Sequence, residues 1–264
     1  MVDFINLIRN ENMKIYRRPR TWVMVGFIFM LILIISAIWA ANTSGSVSIW
    51  DAVYTETDIL YMLVTIFVVV VASSGVAEEF SGGTIKLLLI RPWSRSKILL
   101  SKYLASVLFA VFLSVVMFAA AFLINWICFG LFNPYSAEEI VTLGDGYKPI
   151  TYLFLYFCLK MITLLVIVTL AFMISTVFRS SILAISISLF LLIIVNTIVM
   201  ALTMLDYAWI DYLLFSHLSL VPYLIENPRY DGSTLGFSLS VLGVYYVVFL
   251  VITWYVFNKR DVAS

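Results

Sequence analysis

Long apolar runs constrain the fold of this chain more than any other feature. About twenty apolar residues in a helix cross the roughly 30 Å hydrocarbon core of a bilayer, where backbone polar groups must be paired within the segment. The chain of 264 residues is 63% hydrophobic and 12% charged, whereas soluble domains are roughly a quarter charged. We therefore predict an all-α polytopic membrane protein in which residues 1–264 form one transmembrane domain. Its six predicted spans are residues 22–41, 59–77, 98–132, 151–178, 182–204 and 235–257.

The charges between the spans predict the orientation. An even number of spans places both termini on one side of the membrane, and the positive-inside rule assigns the basic side to the cytoplasm. The side with the termini carries thirteen Lys and Arg against five Asp and Glu, whereas the other side carries two against ten. We expect a multi-pass protein of a cell membrane, of the bacterial plasma-membrane type, with cytoplasmic N and C termini.

Two segments outside the spans are predicted to lie at the membrane surface. Residues 1–20 place apolar side chains on one stripe of a helix and basic side chains beside it, which is typical of an interfacial helix ended by Pro19. A disordered basic leader is the alternative. Residues 206–234 combine aromatic residues with two prolines, which predicts short interfacial or re-entrant helices before the last span.

The connection between the second and third spans contains a short apolar core at residues 85–90. As a helix this core would be about 9 Å long, too short to cross a bilayer. Gly82 and Gly83 allow a sharp turn before it, Thr84 can cap it, and Pro92 would end it. Because such a helix would be costly to leave in water, we expect it to dock on lipid or on a partner protein.

These residues resemble a signature of type-2 ABC exporter permeases, which are small six-span subunits that pair with a separate ATPase. The matching residues are Glu79, Gly83, Thr84, Leu87, Leu88, Pro92 and the tripeptide WSR at Trp93 to Arg95. The six-span layout, the amphipathic arm and the short helices before the last span extend the resemblance over the whole chain. Phe80 is a departure, because family members often carry a basic residue directly after the acidic one.

The resemblance implies that residues 83–91 form a coupling helix seated in a groove of a cytoplasmic ABC ATPase. It also implies a second permease subunit, in a homodimer or a heterodimer, with ATP and magnesium bound by the partner ATPase. The residues implied in ATPase coupling are Glu79, Gly82, Gly83, Thr84, Ile85, Lys86, Leu87, Leu88, Arg91, Pro92 and Arg95.

The sequence offers no ATP-hydrolysing motif of its own. The nearest match to the phosphate-binding loop, SGGTIK, lacks the final Lys-Ser/Thr and a preceding strand. We therefore expect a non-catalytic chain without cofactor or metal, with membrane lipid but no nucleic acid as a partner. The leading hypothesis is a permease subunit that couples ATP hydrolysis to export of an amphipathic or hydrophobic substrate, such as a peptide antibiotic, a drug or a lipid-like molecule.

Two other classes of protein remain open at this stage. An ion-gradient-driven secondary transporter or channel usually has carboxylates or broken helices inside the membrane. The predicted spans contain no Asp or Glu, and we expect no buried carboxylate there. A membrane-embedded enzyme or a structural anchor is the third class, but no nucleophile with a neighbouring base is evident.

A few polar residues stand out in or near the apolar runs. Lys160 is predicted either to line a pathway or to extend to the outer headgroups. Asn125 and Asn196 are possible lining residues that more often form hydrogen bonds between helices. We expect His217 to be a hydrogen-bonded interfacial residue.

Two further pairs of residues have structural interpretations. Glu78 and Glu79 are expected to form salt bridges with Arg91, with Arg95 or with the N-terminal arm. The two cysteines, Cys128 and Cys158, fall within apolar runs and are expected to pack there without a disulfide.

Overall fold

The structure, a computed structural model, describes residues 2–42, 48–84, 93–130, 148–202, 209–225 and 234–259. Within these ranges the chain is almost entirely helical and contains no β-strand, so the all-α prediction is confirmed. The α-helices of the described residues are α1 Val2–Tyr16, α2 Pro19–Asn42, α3 Ile49–Ser74, α4 Ala77–Ser81, α5 Arg95–Asn125, α6 Pro149–Val177, α7 Ser181–Leu202 and α8 Leu235–Lys259. A π-helix at Trp126–Gly130 follows α5 directly.

Among the described residues, five helices are long and apolar enough to cross a membrane. They are Pro19–Ala41, Ile49–Ser74, Arg95–Phe129, Pro149–Val177 and Leu235–Lys259. Large apolar side chains on the outside of the bundle, such as Phe154 and Ile182, are mostly exposed, as expected for a surface that contacts lipid. The fifth predicted span, residues 182–204, lies in α7, whose apolar stretch Ser181–Ile194 is shorter, and its crossing of the membrane stays a prediction.

The helix of the second predicted span begins ten residues earlier than we expected and ends three residues earlier. Ser48 caps α3, because its hydroxyl accepts a hydrogen bond from the Trp50 amide at 3.3 Å. The first three turns of α3 carry acidic residues, which are disfavoured in lipid, and two of them have partners in the protein. Glu56 is buried and hydrogen-bonded, and Asp58 pairs with Lys160. The helix ends at Ser74, and residues 77–81 form the separate helix α4.

Consecutive membrane helices run in opposite directions, so the bundle has two chemically distinct ends. We call the end that contains Arg18, Arg20 and Lys102 the basic end. The helix α1 lies there, together with the first turns of α2, α5 and α7 and the last turns of α3, α6 and α8. There Trp254 of α8 donates a hydrogen bond to Ser96 of α5 at 2.9 Å. The acidic end lies at the opposite pole of the bundle and contains Glu56 and Asp58.

A continuous apolar core joins α2, α3, α5 and α6. Ile28, Val64, Phe109, Leu113 and Leu164 are fully buried in it. These residues come from four helices, so the core fixes the positions of the helices that carry the charged residues at both ends.

The N-terminal arm is helical over Val2–Tyr16, so a disordered leader does not describe these residues. Leu7 and Glu11 are buried against the bundle, which ties the arm to the basic end. The Thr21 hydroxyl donates a hydrogen bond to the Ile15 carbonyl at 2.6 Å, and Pro19 begins the next helix. Placement of α1 at a membrane interface stays a prediction.

Short 3₁₀ helices precede the last membrane helix, at Ile210–Tyr212, Leu214–His217 and Val221–Ile225. Leu214 and Leu220 are buried against Leu159 of α6 and against Leu242 and Phe249 of α8. The segment therefore packs into the side of the helical bundle rather than lying over its end.

Candidate functional site at the basic end

The turn that leads out of α3 is fixed to the neighbouring helix α6. The backbone amides of Val76 and Ala77 both donate hydrogen bonds at 3.0 Å to the Ser175 hydroxyl. Without this hydroxyl two buried amide donors would lose their partner. The start of α4 is thus held against the last turn of α6.

A sharp turn follows α4, as the glycines predict. Gly83 has a φ of +67°, a left-handed conformation that glycine adopts without strain. Thr84 is exposed, and its hydroxyl donates a 3.4 Å hydrogen bond back to the Glu79 carbonyl. Ile85, Lys86, Leu87, Leu88, Arg91 and Pro92 lie outside the described residues, so the coupling helix at 83–91 stays a prediction.

Lys102 of α5 is the centre of a buried ion network at the basic end. Its ammonium donates hydrogen bonds to Glu11 at 2.9 Å and to Glu79, while 4% of the residue is exposed. Lys14 lies 2.7 Å from Glu11 and 3.1 Å from Glu79. Two cations therefore face two carboxylates, and each neutralises charges that would be expensive to bury alone.

Glu78 forms a second set of ion pairs on the neighbouring side of α4. It is bound by Arg18 and by Arg20, the latter at 3.1 Å. Adjacent helical residues point in directions about 100° apart, which is why Glu78 and Glu79 reach different partners. The predicted salt bridges to the N-terminal arm are confirmed, with Arg18 for Glu78 and with Lys14 for Glu79. Arg95 donates to the Asn258 carbonyl of α8 at 3.3 Å.

The ion pairs shift the pKa values of these groups. Burial acts to raise the pKa of Glu11, but the charge of Lys102 and the hydrogen bond from Lys14 outweigh it and lower the pKa. Burial also acts to raise the pKa of Glu78, but Arg18 and Arg20 outweigh it and lower the pKa. The pKa of Lys14 is raised, because its bonds to Glu11 and Glu79 outweigh burial. All three groups therefore stay charged at neutral pH.

A cleft of about 460 Å³ lies among these ion pairs, between α1, α3, α4 and α5. Oε2 of Glu79 is buried beside it and has no hydrogen-bond partner among the described residues. No group of His, Cys, Asp and Glu in the described part of the chain could hold a metal ion. The ion pairs join α1, α2, α4 and α5 into one unit.

At the acidic end, the expectation that the membrane helices contain no buried carboxylate is wrong. Glu56 of α3 is 1% exposed and accepts hydrogen bonds from Ser36 of α2 at 2.7 Å and from Asn125 of α5 at 2.6 Å. The apolar run that predicts the second span begins at Ile59, so the sequence places Glu56 in the preceding loop. Asn125 forms the hydrogen bonds between helices that we expected of it, and the side chain of Asn196 lies outside the described residues.

Lys160 of α6 is paired rather than isolated. Its ammonium lies 2.8 Å from Asp58 Oδ1, and the Tyr156 hydroxyl donates to the same oxygen at 2.9 Å. The ammonium also lies 5.5 Å from the Tyr61 ring centre and 5.3 Å from that of Tyr156. A role of Lys160 in lining a pathway stays a prediction.

The remaining residues singled out from the sequence have structural environments. His217 is buried and its Nδ1 lies 2.8 Å from the Ser238 hydroxyl, so it is hydrogen-bonded as we expected. Cys128 and Cys158 are unpaired thiols in half-buried positions.

Apolar helices that alternate in direction, with charges gathered at the two ends, define a multi-pass membrane protein. Its sequence matches a family described as protein of unknown function (DUF2705) over residues 20–263, and the chain belongs to that family. It is 30% identical to the uncharacterized protein YhcI of Bacillus subtilis, over 98% of this chain and the full length of that protein. It is also 28% identical to the uncharacterized membrane protein YdbK of Bacillus subtilis, over 95% of this chain and 99% of that protein.

Proposed function

We propose that this chain is the membrane-spanning permease subunit of an ATP-driven ABC exporter. The observation that carries the proposal is the ion pair between Glu79, the first residue of the signature, and Lys102 of the membrane helix α5. It fixes the residues just before the Gly83 turn to the bundle. The apolar residues 85–90 that follow would dock into a cytoplasmic ATPase.

The contacts of α4 explain how movement of the ATPase would reach the membrane. Ser175 holds the start of α4 against α6, Lys102 holds it against α5, and Arg18 and Arg20 hold it against the junction of α1 and α2. A displacement applied to residues 85–90 would therefore move several helix ends together. Because buried ion pairs have discrete geometries, the unit would shift as a rigid body instead of deforming.

The same proposal assigns the topology. The basic end faces the cytoplasm of a bacterial cell, in accord with the positive-inside rule, and α7 is the fifth of six crossings. The 3₁₀ segment, which packs into the side of the bundle, is a re-entrant element that approaches the membrane from outside. A second permease subunit completes the transport pathway, and the partner ATPase binds ATP and magnesium.

The apolar composition suggests the class of cargo. An amphipathic or hydrophobic molecule, such as a peptide antibiotic, a drug or a lipid-like compound, can enter from the bilayer and needs no wide aqueous channel. Antibiotic resistance is the phenotype that export of such molecules would give.

Association with an ATPase tests the proposal. The full chain is purified from its native membranes, and ATPase activity that co-purifies with it is measured. We expect the double substitution Arg91→Glu and Arg95→Glu to abolish that activity. Lys148→Glu is the control, because it reverses the charge of a basic side chain at the acidic end and should retain the activity. Unchanged ATPase recovery from the double variant, with equal amounts of folded protein, would refute the proposal.

An ion-gradient-driven transporter or channel is a second candidate, and buried Glu56 is the observation that favours it. Carboxylates inside membrane helices often carry protons in such proteins. The test uses the purified chain alone in vesicles with an imposed pH gradient and an entrapped pH indicator. Proton flux that is lost in Glu56→Gln would support this candidate, whereas the exporter proposal predicts no flux in either protein.

A further inference from the structure

A second cavity lies towards the acidic end, away from the ion network of the basic end. It has a volume of about 410 Å³ and opens between α3, α6, α7 and the 3₁₀ segment. Asp58 and Lys160 form its polar wall, and Ile167, Leu192 and Phe215 belong to its apolar wall. Pockets that bind small organic molecules have volumes of about 300 to 1,000 Å³, so the cavity is large enough for such a ligand.

The two walls are separated along the helix axis. Lys160 and Ile167 are seven residues apart on α6, which corresponds to about 10 Å. The cavity therefore offers charge at one end and an apolar surface at the other. This division matches an amphipathic molecule with one charged group and an apolar body of about this length.

The environment of the ion pair selects the sign of the ligand's charge. The Asp58 side chain is 51% exposed and that of Lys160 is 23% exposed. Both hydrogen bonds described for Asp58 end on Oδ1, which leaves Oδ2 to receive a donor from the cavity. The Lys160 ammonium lies against the rings of Tyr61 and Tyr156, whose faces attract cations and repel anions.

The surrounding charges favour the same sign. The segments predicted to lie on this side carry ten acidic residues, three of them in α3, and two basic ones besides Lys160. A surface of one sign concentrates counter-ions near a cavity that opens close to it. Cationic amphipaths would therefore be enriched at the entrance and anionic ones depleted.

We propose that this cavity binds amphipathic organic cations, with Asp58 as their counter-ion and Lys160 as a tethered competitor. The Lys160 ammonium neutralises Asp58, which would otherwise be a costly unpaired charge beside an apolar wall. A bound cation shares or replaces that ammonium at the carboxylate while its apolar body fills the space beside Phe215. That such molecules are exported rests on the proposed function, whereas their binding does not.

Two amphipaths with the same apolar chain but head groups of opposite charge provide the test. Binding of octylammonium and of octyl sulfate is measured on the full chain in phosphatidylcholine nanodiscs, with empty nanodiscs as background. We expect saturable binding of the cation and none of the anion. Asp58→Asn should weaken binding of the cation by about tenfold, since the interaction with a charged group is lost. Lys160→Gln should strengthen it, because the tethered competitor is removed.

Asp51→Asn is the matched control on the same helix. It removes one negative charge near the acidic end without changing the cavity, so binding of the cation should stay at the wild-type level. Wild-type affinity in Asp58→Asn, saturable binding of the anion, or no binding above empty nanodiscs would each overturn the proposal. The assay contains neither nucleotide nor ATPase, so its result is independent of whether the chain serves an exporter.

Discussion

Lys102 Nζ lies 2.9 Å from Glu11 Oε2, and this buried ion pair joins a membrane helix to the N-terminal arm. Glu79 binds the same ammonium, so the arm, the start of the connection and α5 share one cation. The basic end of the bundle depends on this cation more than on any exposed charge, because neither carboxylate has enough water around it to be stable alone.

Lys102→Met should therefore destabilise the protein strongly. The substitution leaves Glu11 and Glu79 close together without their central cation, and breaking a buried pair costs about 3 to 5 kcal/mol. The thermal unfolding midpoint of the purified chain measures the effect. Lys97→Met is the matched control at an exposed position on the same helix. Equal midpoints for the two variants would show that the buried network contributes nothing to stability.

The ion network should also make stability depend on pH. The pKa values of Glu11 and Glu78 are lowered in the folded protein. These two carboxylates therefore stabilise the fold at a pH above the pKa of unfolded Glu, and this stabilisation is lost as the pH falls through their pKa values in the folded state. Loss is thus expected below about pH 4. The pKa of Lys14 is raised in the folded protein, so its contribution to stability depends on pH in the opposite direction. That contribution is lost as the pH rises through the pKa of Lys14 in the folded state.

Unfolding midpoints measured across the acidic range test the carboxylate part of this dependence. The wild-type midpoint should fall as the pH is lowered, and Glu78→Gln should show a shallower fall, because one of the titrating carboxylates is removed. Parallel curves for the two proteins would contradict the assignment of Glu78 to the network.

Glu56 should be replaceable by an amide but not by a methyl group. Glutamine can still accept the hydrogen bond from Asn125, whereas Glu56→Ala leaves Ser36 and Asn125 without their shared acceptor. Unsatisfied buried polar groups cost about 1 to 3 kcal/mol each. Unfolding midpoints should therefore fall much further for Glu56→Ala than for Glu56→Gln. The reverse order would mean that a negative charge is required at this site.

Gly83 should be required for coupling rather than for folding. A side chain at φ +67° is strained, and nothing in the described residues lies within 4 Å of an added Cβ. Gly83→Val should therefore redirect the chain into residues 85–90 and reduce the co-purifying ATPase activity, with little change in the unfolding midpoint. Gly83→Asn should be affected less, because asparagine tolerates this conformation better. Full activity in Gly83→Val would argue against the turn as part of the coupling element.

The sequence was sufficient to predict helices but not their side-chain pairs. The apolar length of residues 235–257 predicted α8 almost to the residue, because burial in lipid imposes one requirement on the whole segment. The start of α3 was missed because acidic residues lowered the local hydropathy. The available signal was Ser48 followed three residues later by Asp51, a pattern typical of a helix N-terminus.

The ion networks could not be predicted from spacing. Lys102 and Glu11 are far apart in the chain, and only the packing of α1 on α5 brings them together. The sequence indicated that Glu79 would form a salt bridge, but only the structure identifies Lys102 as a partner. The same holds for Glu56, whose two partners come from two other helices.

Site-specific photo-crosslinking from Leu87 tests the central claim most directly. A photoreactive amino acid replaces Leu87 in the full chain, the cells are irradiated, and the adducts are identified by mass spectrometry. The control position is Ile150, an exposed apolar residue at the acidic end. The exporter proposal predicts an adduct with a cytoplasmic ATP-binding protein from Leu87 and none from Ile150. Adducts of Leu87 with lipid alone would contradict it.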